Sequence, residues 1–241
     1  AAKIIPQIAS GSPDGGITTY STTIEIVNTG NSAVTLSAAF FNEADGTPST
    51  LRMNTTAAST PTFTGFLSIP SLAAHSILVI TADEGAAPNN AYSASWGKVT
   101  SSGAITVVAT FEHRAASRAL LARVGIGASD GDMKQFVIPR MSNSASGLDT
   151  GFAIVNTGTT AASLTATLHD SAGIVGNPHT LDFKPGEKKV VFAGPLFGES
   201  GATDSTVYQY MLFESTSPQF AAAGLYLEGS SLTAVPVDRL Q

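Results

Sequence analysis

Ile24-Glu25-Ile26-Val27-Asn28-Thr29-Gly30 returns further along the chain as Phe152-Ala153-Ile154-Val155-Asn156-Thr157-Gly158. The two stretches share Ile-Val-Asn-Thr-Gly, and the likeness continues on both sides. Ala33-Val34-Thr35-Leu36-Ser37-Ala38 parallels Ala161-Ala162-Ser163-Leu164-Thr165-Ala166. Upstream, Ile5-Pro6 parallels Ile138-Pro139. Downstream, Ile69-Pro70 before Ser76-Ile77-Leu78-Val79 parallels Phe183-Lys184-Pro185 before Lys189-Val190-Val191-Phe192. Phe111-Glu112 then matches Leu227-Glu228, and Leu121 to Ile126 matches Leu232 to Val237. Matches that keep chain order with small gaps mark a tandem duplication.

The local pattern is β throughout. Thr22-Thr23-Ile24-Glu25-Ile26 and Thr165-Ala166-Thr167-Leu168 alternate, and a period of two turns one face to a core and the other to solvent. Asn28-Thr29-Gly30, Asn156-Thr157-Gly158, Ala44-Asp45-Gly46, Ser171-Ala172-Gly173 and Pro185-Gly186 punctuate the strands. At the Asn-Thr-Gly turns, Asn and Gly are expected because both tolerate positive φ. About seven short strands per copy, in copies of about 105–125 residues, predict an all-β chain of two tandem Ig-like antiparallel β-sandwiches. The predicted divisions are a first sandwich over 1–127, a linker over 128–134 and a second sandwich over 135–241. A Thr-rich insertion at 54–64 has no counterpart in the second copy. Ser117 to Arg123 has helix-forming residues, but its counterpart contains Pro236, so the repeat predicts a last strand at Leu121 to Ile126.

The chain has 241 residues, of which 43% are hydrophobic and only 12% charged. That charge is about half the roughly 25% of a globular protein. With 12 Lys and Arg against 18 Asp and Glu, the net charge is −6, so nothing basic is available to neutralise a phosphate backbone and nucleic acid is excluded as a partner. The absence of Cys removes disulfides and thiolate chemistry. Runs such as Ile105 to Phe111 and Phe220 to Leu227 fall short of the ~18 apolar residues of a membrane span. A small-residue start, Ala1-Ala2-Lys3, suits export with a cleaved signal peptide, so an extracellular or cell-surface location is expected.

The strand–Asn-Thr-Gly–strand unit of Ile26 to Leu36 resembles the Ig-like repeats of exported bacterial surface proteins. The second copy resembles, in Gly151 to Asn156, Pro185-Gly186, Pro195-Leu196-Phe197 and Ala234 to Val237, a domain found in pairs in large secreted bacterial proteins. These motifs are turns and core strands. The resemblance implies a spacer, adhesive module or assembly unit, and it brings no catalytic residues.

Chemistry-bearing residues are few. Gly127-Ala128-Ser129-Asp130-Gly131 spells G-x-S-x-G, but a nucleophile elbow needs a helix after it, and here Met133 to Ile138 reads as a strand. His75, His113, His169 and His179 lack metal-ligand spacing. Asp130 and Asp132 are calcium candidates; no other metal site, no cofactor and no catalytic residue is expected. Tyr92 and Trp96 are glycan candidates if they share an exposed strand face, whereas Trp96 and Phe213 otherwise anchor the cores. Asn54-Thr55-Thr56 fits a glycan-acceptor string. Ile4, Ile5 and Ile8 lie in an apolar terminal segment that either completes its own sheet or is donated to a neighbour. The expected function is non-enzymatic, a structural or adhesive protein that self-associates through sheet edges into a fibre or coat. A carbohydrate-binding or adhesion module is the alternative.

Overall fold

The structure is a computed structural model that describes residues 2–83, 85, 91–198 and 205–240. The first half carries β1 (Ala2–Ser10), β2 (Thr18–Asn28), β3 (Val34–Asn42), β4 (Arg52–Thr55), β5 (Thr62–Thr64), β6 (Phe66–Leu72), β7 (Ile77–Ala82), β8 (Ser93–Ser101), β9 (Ile105–Ala115) and β10 (Leu120–Gly127). The second carries β11 (Gln135–Ser142), β12 (Asp149–Asn156), β13 (Ala162–Asp170), β14 (Gly173–Phe183), β15 (Lys188–Phe192), the single-turn helix α1 (Ala193–Phe197), β16 (Val207–Glu214), β17 (Phe220–Glu228), β18 (Ser231–Val235) and β19 (Asp238–Arg239).

In the first half the sheets run β1-β8-β3-β6 and β10-β9-β2-β7-β4-β5. In the second they run β14-β13-β16-β11-β19 and β15-β12-β17-β18. Substituting β11 for β1, β12 for β2, β13 for β3, β14 for β6, β15 for β7, β16 for β8, β17 for β9 and β18 for β10 turns one set of orders into the other, apart from β4 and β5 in the first half and β19 in the second. Each copy is therefore an antiparallel Ig-like sandwich of eight matched strands, one more than turn spacing predicts, and the duplication extends to the wiring. β10 pairs with β9 along Ala122 to Gly127, so the helix-forming composition of Ser117 to Arg123 yields to the sheet.

Alternation builds the cores. Ile24 and Ile26 of β2 are fully buried, as are Phe152 and Ile154 at the same places in β12. In the second sandwich Phe213 stacks on Phe136 at 4.9 Å and meets Phe152 edge-on at 5.2 Å. Each such side chain contributes roughly 1.5–3 kcal/mol by leaving water.

The Asn-Thr-Gly turns work differently from expectation. None of Asn28, Gly30, Asn156 or Gly158 has positive φ. Asn28 is instead buried, and its Nδ2 donates to the carbonyls of Ser32, Leu72 and Ala73 at 2.8, 3.1 and 2.9 Å. Its Oδ1 accepts from Gly30 N at 3.0 Å. Asn156 repeats this, donating to Thr160 O and Lys184 O and accepting from Gly158 N. The side chain locks its own turn and ties it to the connection before the next strand, β7 or β15.

The Thr-rich insertion belongs to a longer excursion between β3 and β6. It buries Leu51 and Met53 and adds the β4–β5 hairpin to the edge of β7. In the second copy the same connection is the two residues between β13 and β14.

The chain forms two compact units, Ala1–Asp130 and Gly131–Gln241. Residues 128–134 divide between them: Ser129 exchanges two hydrogen bonds with Ile4, at 2.7 and 2.8 Å, and Met133 two with Phe220, at 2.9 and 3.1 Å. In each unit the chain beyond the last matched strand crosses to the edge of the first one. Ser129 does this against β1, and β19 does it against β11 through Phe136↔Arg239 and Val137↔Asp238.

Candidate functional site

Sheet edges are where a sandwich offers unpaired N–H and C=O groups to another chain. Proline interrupts three of them, Pro6 in β1, Pro70 in β6 and Pro178 in β14, while β5, β10, β18 and β19 have none. β15, Lys188-Lys189-Val190-Val191-Phe192, ends its sheet and has no proline. Lysines commonly guard such an edge, but here both are occupied. Lys188 is buried, while Lys189 reaches Glu187 at 3.8 Å and lies 5.3 Å from the Phe183 ring centre. Val190 and Phe192 are 47% and 40% exposed.

The equivalent strand of the first sandwich, β7, is not an edge. β4 pairs with it through Asn54↔Thr81 and Thr55↔Ile80, and β5 pairs with β4. The chain thus adds strands to one copy of this edge and leaves the other open. Sequence reasoning missed Val190 and Phe192. The signal was the lack of proline in 188–192 beside its presence in the neighbouring edge strand.

The N-terminal strand pairs in cis. β1 runs antiparallel to β8 with a bulge between Ile5 and Ile8, and Ile4, Ile5 and Ile8 are all buried. These side chains complete their own sandwich.

Trp96 is not a surface platform, which corrects its assignment as a glycan candidate. It is 4% exposed and stacks on Phe41 at 4.3 Å. Nor does it lie between the sheets. A Cβ on its neighbour Gly97 would meet Phe40 and Ile8, so Gly97 faces inward and Trp96 occupies the opposite face. Its counterpart in β16 is Tyr210, which stacks on His169 at 4.7 Å and is partly exposed beside Tyr208, itself 70% exposed. Tyr92 belongs to another cluster, standing edge-on to Tyr20, which lies flat on His113 at 4.7 Å. Burial, helped by Glu43 and Tyr20, pushes the Tyr92 hydroxyl up to about 12.

Asp130 accepts from Lys3 Nζ and Asp132 from Arg239 Nη1, each at 2.7 Å and each within its own unit. Among the described residues no three of His, Asp or Glu come together as metal ligands would. His113 and His169 are held in ring stacks, His179 meets Phe197 edge-on, and His75 sits in a turn with φ 56°. Ser129 is backbone-bonded to Ile4, and no helix follows it before β11. On the surface, burial raises the Glu112 carboxyl, but bonds from Arg114 and Arg123 outweigh this and leave it below its ordinary value. Among the described residues no helix is long and apolar enough to cross a membrane.

No family model matches the chain, and no curated protein matches it in sequence. Among solved structures it is similar to Thermotoga maritima 1070, with TM-score 0.34 and 16% identity over 47% of this chain and 97% of that one. It is also similar to procruciferin, an 11S globulin from Brassica napus, with TM-score 0.25 and 6% identity over 93% of this chain and 78% of that one. The pilus backbone RrgB from Streptococcus pneumoniae has TM-score 0.16 and 12% identity over 100% of this chain and 98% of that one. The fold assignment rests on the strands and their register.

Proposed function

We propose that this chain is a non-enzymatic structural protein of the cell exterior that joins copies of itself through β15. The contrast between β7 and β15 supports this. The same strand of the same fold takes up further strands in one copy and ends its sheet in the other, with Val190 and Phe192 exposed and both lysines turned to other partners. A strand from a second chain laid on β15 would add main-chain hydrogen bonds, as strand addition does. β15 laid antiparallel on β15 of a second copy would close a two-fold dimer, whereas a different donor strand would make a heterologous contact that propagates into an open assembly unless it closes a ring. The low charge of the surface favours either outcome by lowering the desolvation cost of bringing faces together. The location outside the cell is supported by the cysteine-free, Ser- and Thr-rich composition and by the resemblance to exported repeats.

Light scattering and electron microscopy across a concentration series test this. Wild-type protein is expected to grow into oligomers or filaments with concentration. The Val190→Lys/Phe192→Lys double variant, changed only at exposed positions, is expected to remain monomeric with an unchanged melting temperature. A wild-type chain that stays monomeric at every concentration, or a double variant that assembles like wild type, overturns the proposal.

A further inference from the structure

Arg140 occupies a position where a charge is costly. The register of β1 on β8 and of β11 on β16 places Arg140 where the first sandwich has Ile8. Ile8 is 0% exposed and Arg140 1%. A buried guanidinium is rare unless paired, yet this one has no carboxylate in ion-pair contact among the described residues. Its Nη1 donates to Gln209 Oε1 at 3.0 Å and its Nη2 to Gly198 O at 3.2 Å, while Nε has no partner. Among the described residues, two of its five N–H donors are used.

Arg140 lines a cavity of about 90 Å³ whose wall also includes Ser142, Asn143, Ser144, Asp149 and Gly194. Asp149 is fixed there. Both its oxygens accept from Gly194 N at 3.1 Å, and Oδ1 also accepts from Thr150 N at 2.7 Å. Gly194 is needed for this, since a Cβ would lie 2.9 Å from Asp149 Oδ2. Neither charged residue belongs to the shared scaffold: the first sandwich has Ile8 and Ser21 at these places. The first sandwich folds without such a pair, so Arg140 and Asp149 are particular to the second copy.

We propose that this cavity binds one edge of a neutral polyol, with adjacent hydroxyls of a sugar ring bridging Arg140 and Asp149. The opposite charges offset each other, so an anion would face Asp149 and an ammonium would face Arg140. A hydroxyl accepts from the guanidinium and donates to the carboxylate, satisfying both. The cavity is far below the ~300 Å³ of pockets that enclose a drug-sized ligand, so the edge of a ring enters and the rest stays in solvent. This site is independent of β15 and of self-association.

The test is an NMR titration of the ¹⁵N-labelled full chain with methyl α-mannopyranoside, methyl β-glucopyranoside, glycerol and acetate. Saturable shifts at the Ser144 and Gly194 amides and at Arg140 Nε–H, with a millimolar Kd, are expected for at least one polyol. Arg140→Ile installs the residue the first sandwich uses and is expected to fold and to weaken binding at least tenfold. Asp149→Asn carries the same expectation and decides the matter should Arg140→Ile fail to fold. No saturable shift with any polyol, response to acetate alone, or undiminished binding in the folded variants overturns the proposal.

Discussion

Thr22 holds the first strand of its sandwich twice over: its Oγ1 accepts from Ala9 N at 3.0 Å and donates to Ala9 O at 2.8 Å. The second copy repeats the clasp, with Thr150 Oγ1 accepting from Met141 N at 3.0 Å and donating to Met141 O at 3.1 Å. Both threonines are fully buried. One hydroxyl thereby satisfies an N–H and a C=O of the facing sheet. Thr22→Val and Thr150→Val keep the shape and strand both backbone groups, so each is expected to destabilise by about 1–3 kcal/mol. Urea unfolding checks this, and Thr→Ser at either site is expected to restore most of the loss.

Asn28 and Asn156 invite the complementary experiment. Asn28→Ala removes a side chain that serves three carbonyls and one N–H, and Asn156→Ala one that serves two carbonyls and one N–H. Losses of about 2–4 kcal/mol are expected, larger at Asn28. Asp at either position is expected to be no better than Ala, because it supplies no donor. Differential scanning calorimetry of the four variants gives the order.

The same asparagines show how far the sequence could be read. The repeated Ile-Val-Asn-Thr-Gly located both turns, since duplication leaves a pattern that needs no knowledge of packing. Its physical reason was hidden, because two of the three carbonyls that Asn28 reaches, those of Leu72 and Ala73, lie 44 and 45 residues away. Trp96 misled for a similar cause: alternation puts it on the face away from the core, and nothing local says that this face is buried there. Arg140 was concealed by the bulge between Ile5 and Ile8. Extending the match Ile5-Pro6 to Ile138-Pro139 without a gap pairs Arg140 with Gln7, an unremarkable polar exchange, whereas the register pairs it with Ile8.

Two glycines distinguish inner from outer faces. A Cβ at Gly97 would lie 3.0 Å from Phe40 Cε1 and 3.4 Å from Ile8 Cδ1, whereas one at Gly125 would meet Val108 and Thr110 at 3.7 and 3.8 Å. Gly97→Ala is expected to cost about 1–3 kcal/mol through overpacking. Gly125→Ala, whose Cβ would make only ordinary van der Waals contacts, is expected to be neutral or slightly stabilising. Melting temperatures of the two variants separate them.

Alkaline stability follows from Tyr92 and Tyr20. Burial raises both hydroxyls above their ordinary value of 10.0, Tyr92 to about 12. The unfolded chain therefore loses these protons first, and the folded state holds more protons over that interval. Stability is fully present below pH 10 and falls as pH rises towards 12. Tyr92→Phe is expected to flatten this fall, measured as urea midpoints from neutral pH to the edge of alkaline unfolding.

The crossing of each unit's last segment onto its first strand determines how the sandwich answers a pull. Ile4 faces Ser129, and Val137 faces Asp238, in antiparallel register, with Lys3–Asp130 and Asp132–Arg239 at the lips. Entry and exit therefore leave each unit side by side. Tension applied through the chain loads these bonds in succession, like a zipper, and never in parallel shear. A strand of such units would yield at its seams under small forces, while the Thr22 and Thr150 clasps behind each seam hold the sheets together for reclosure.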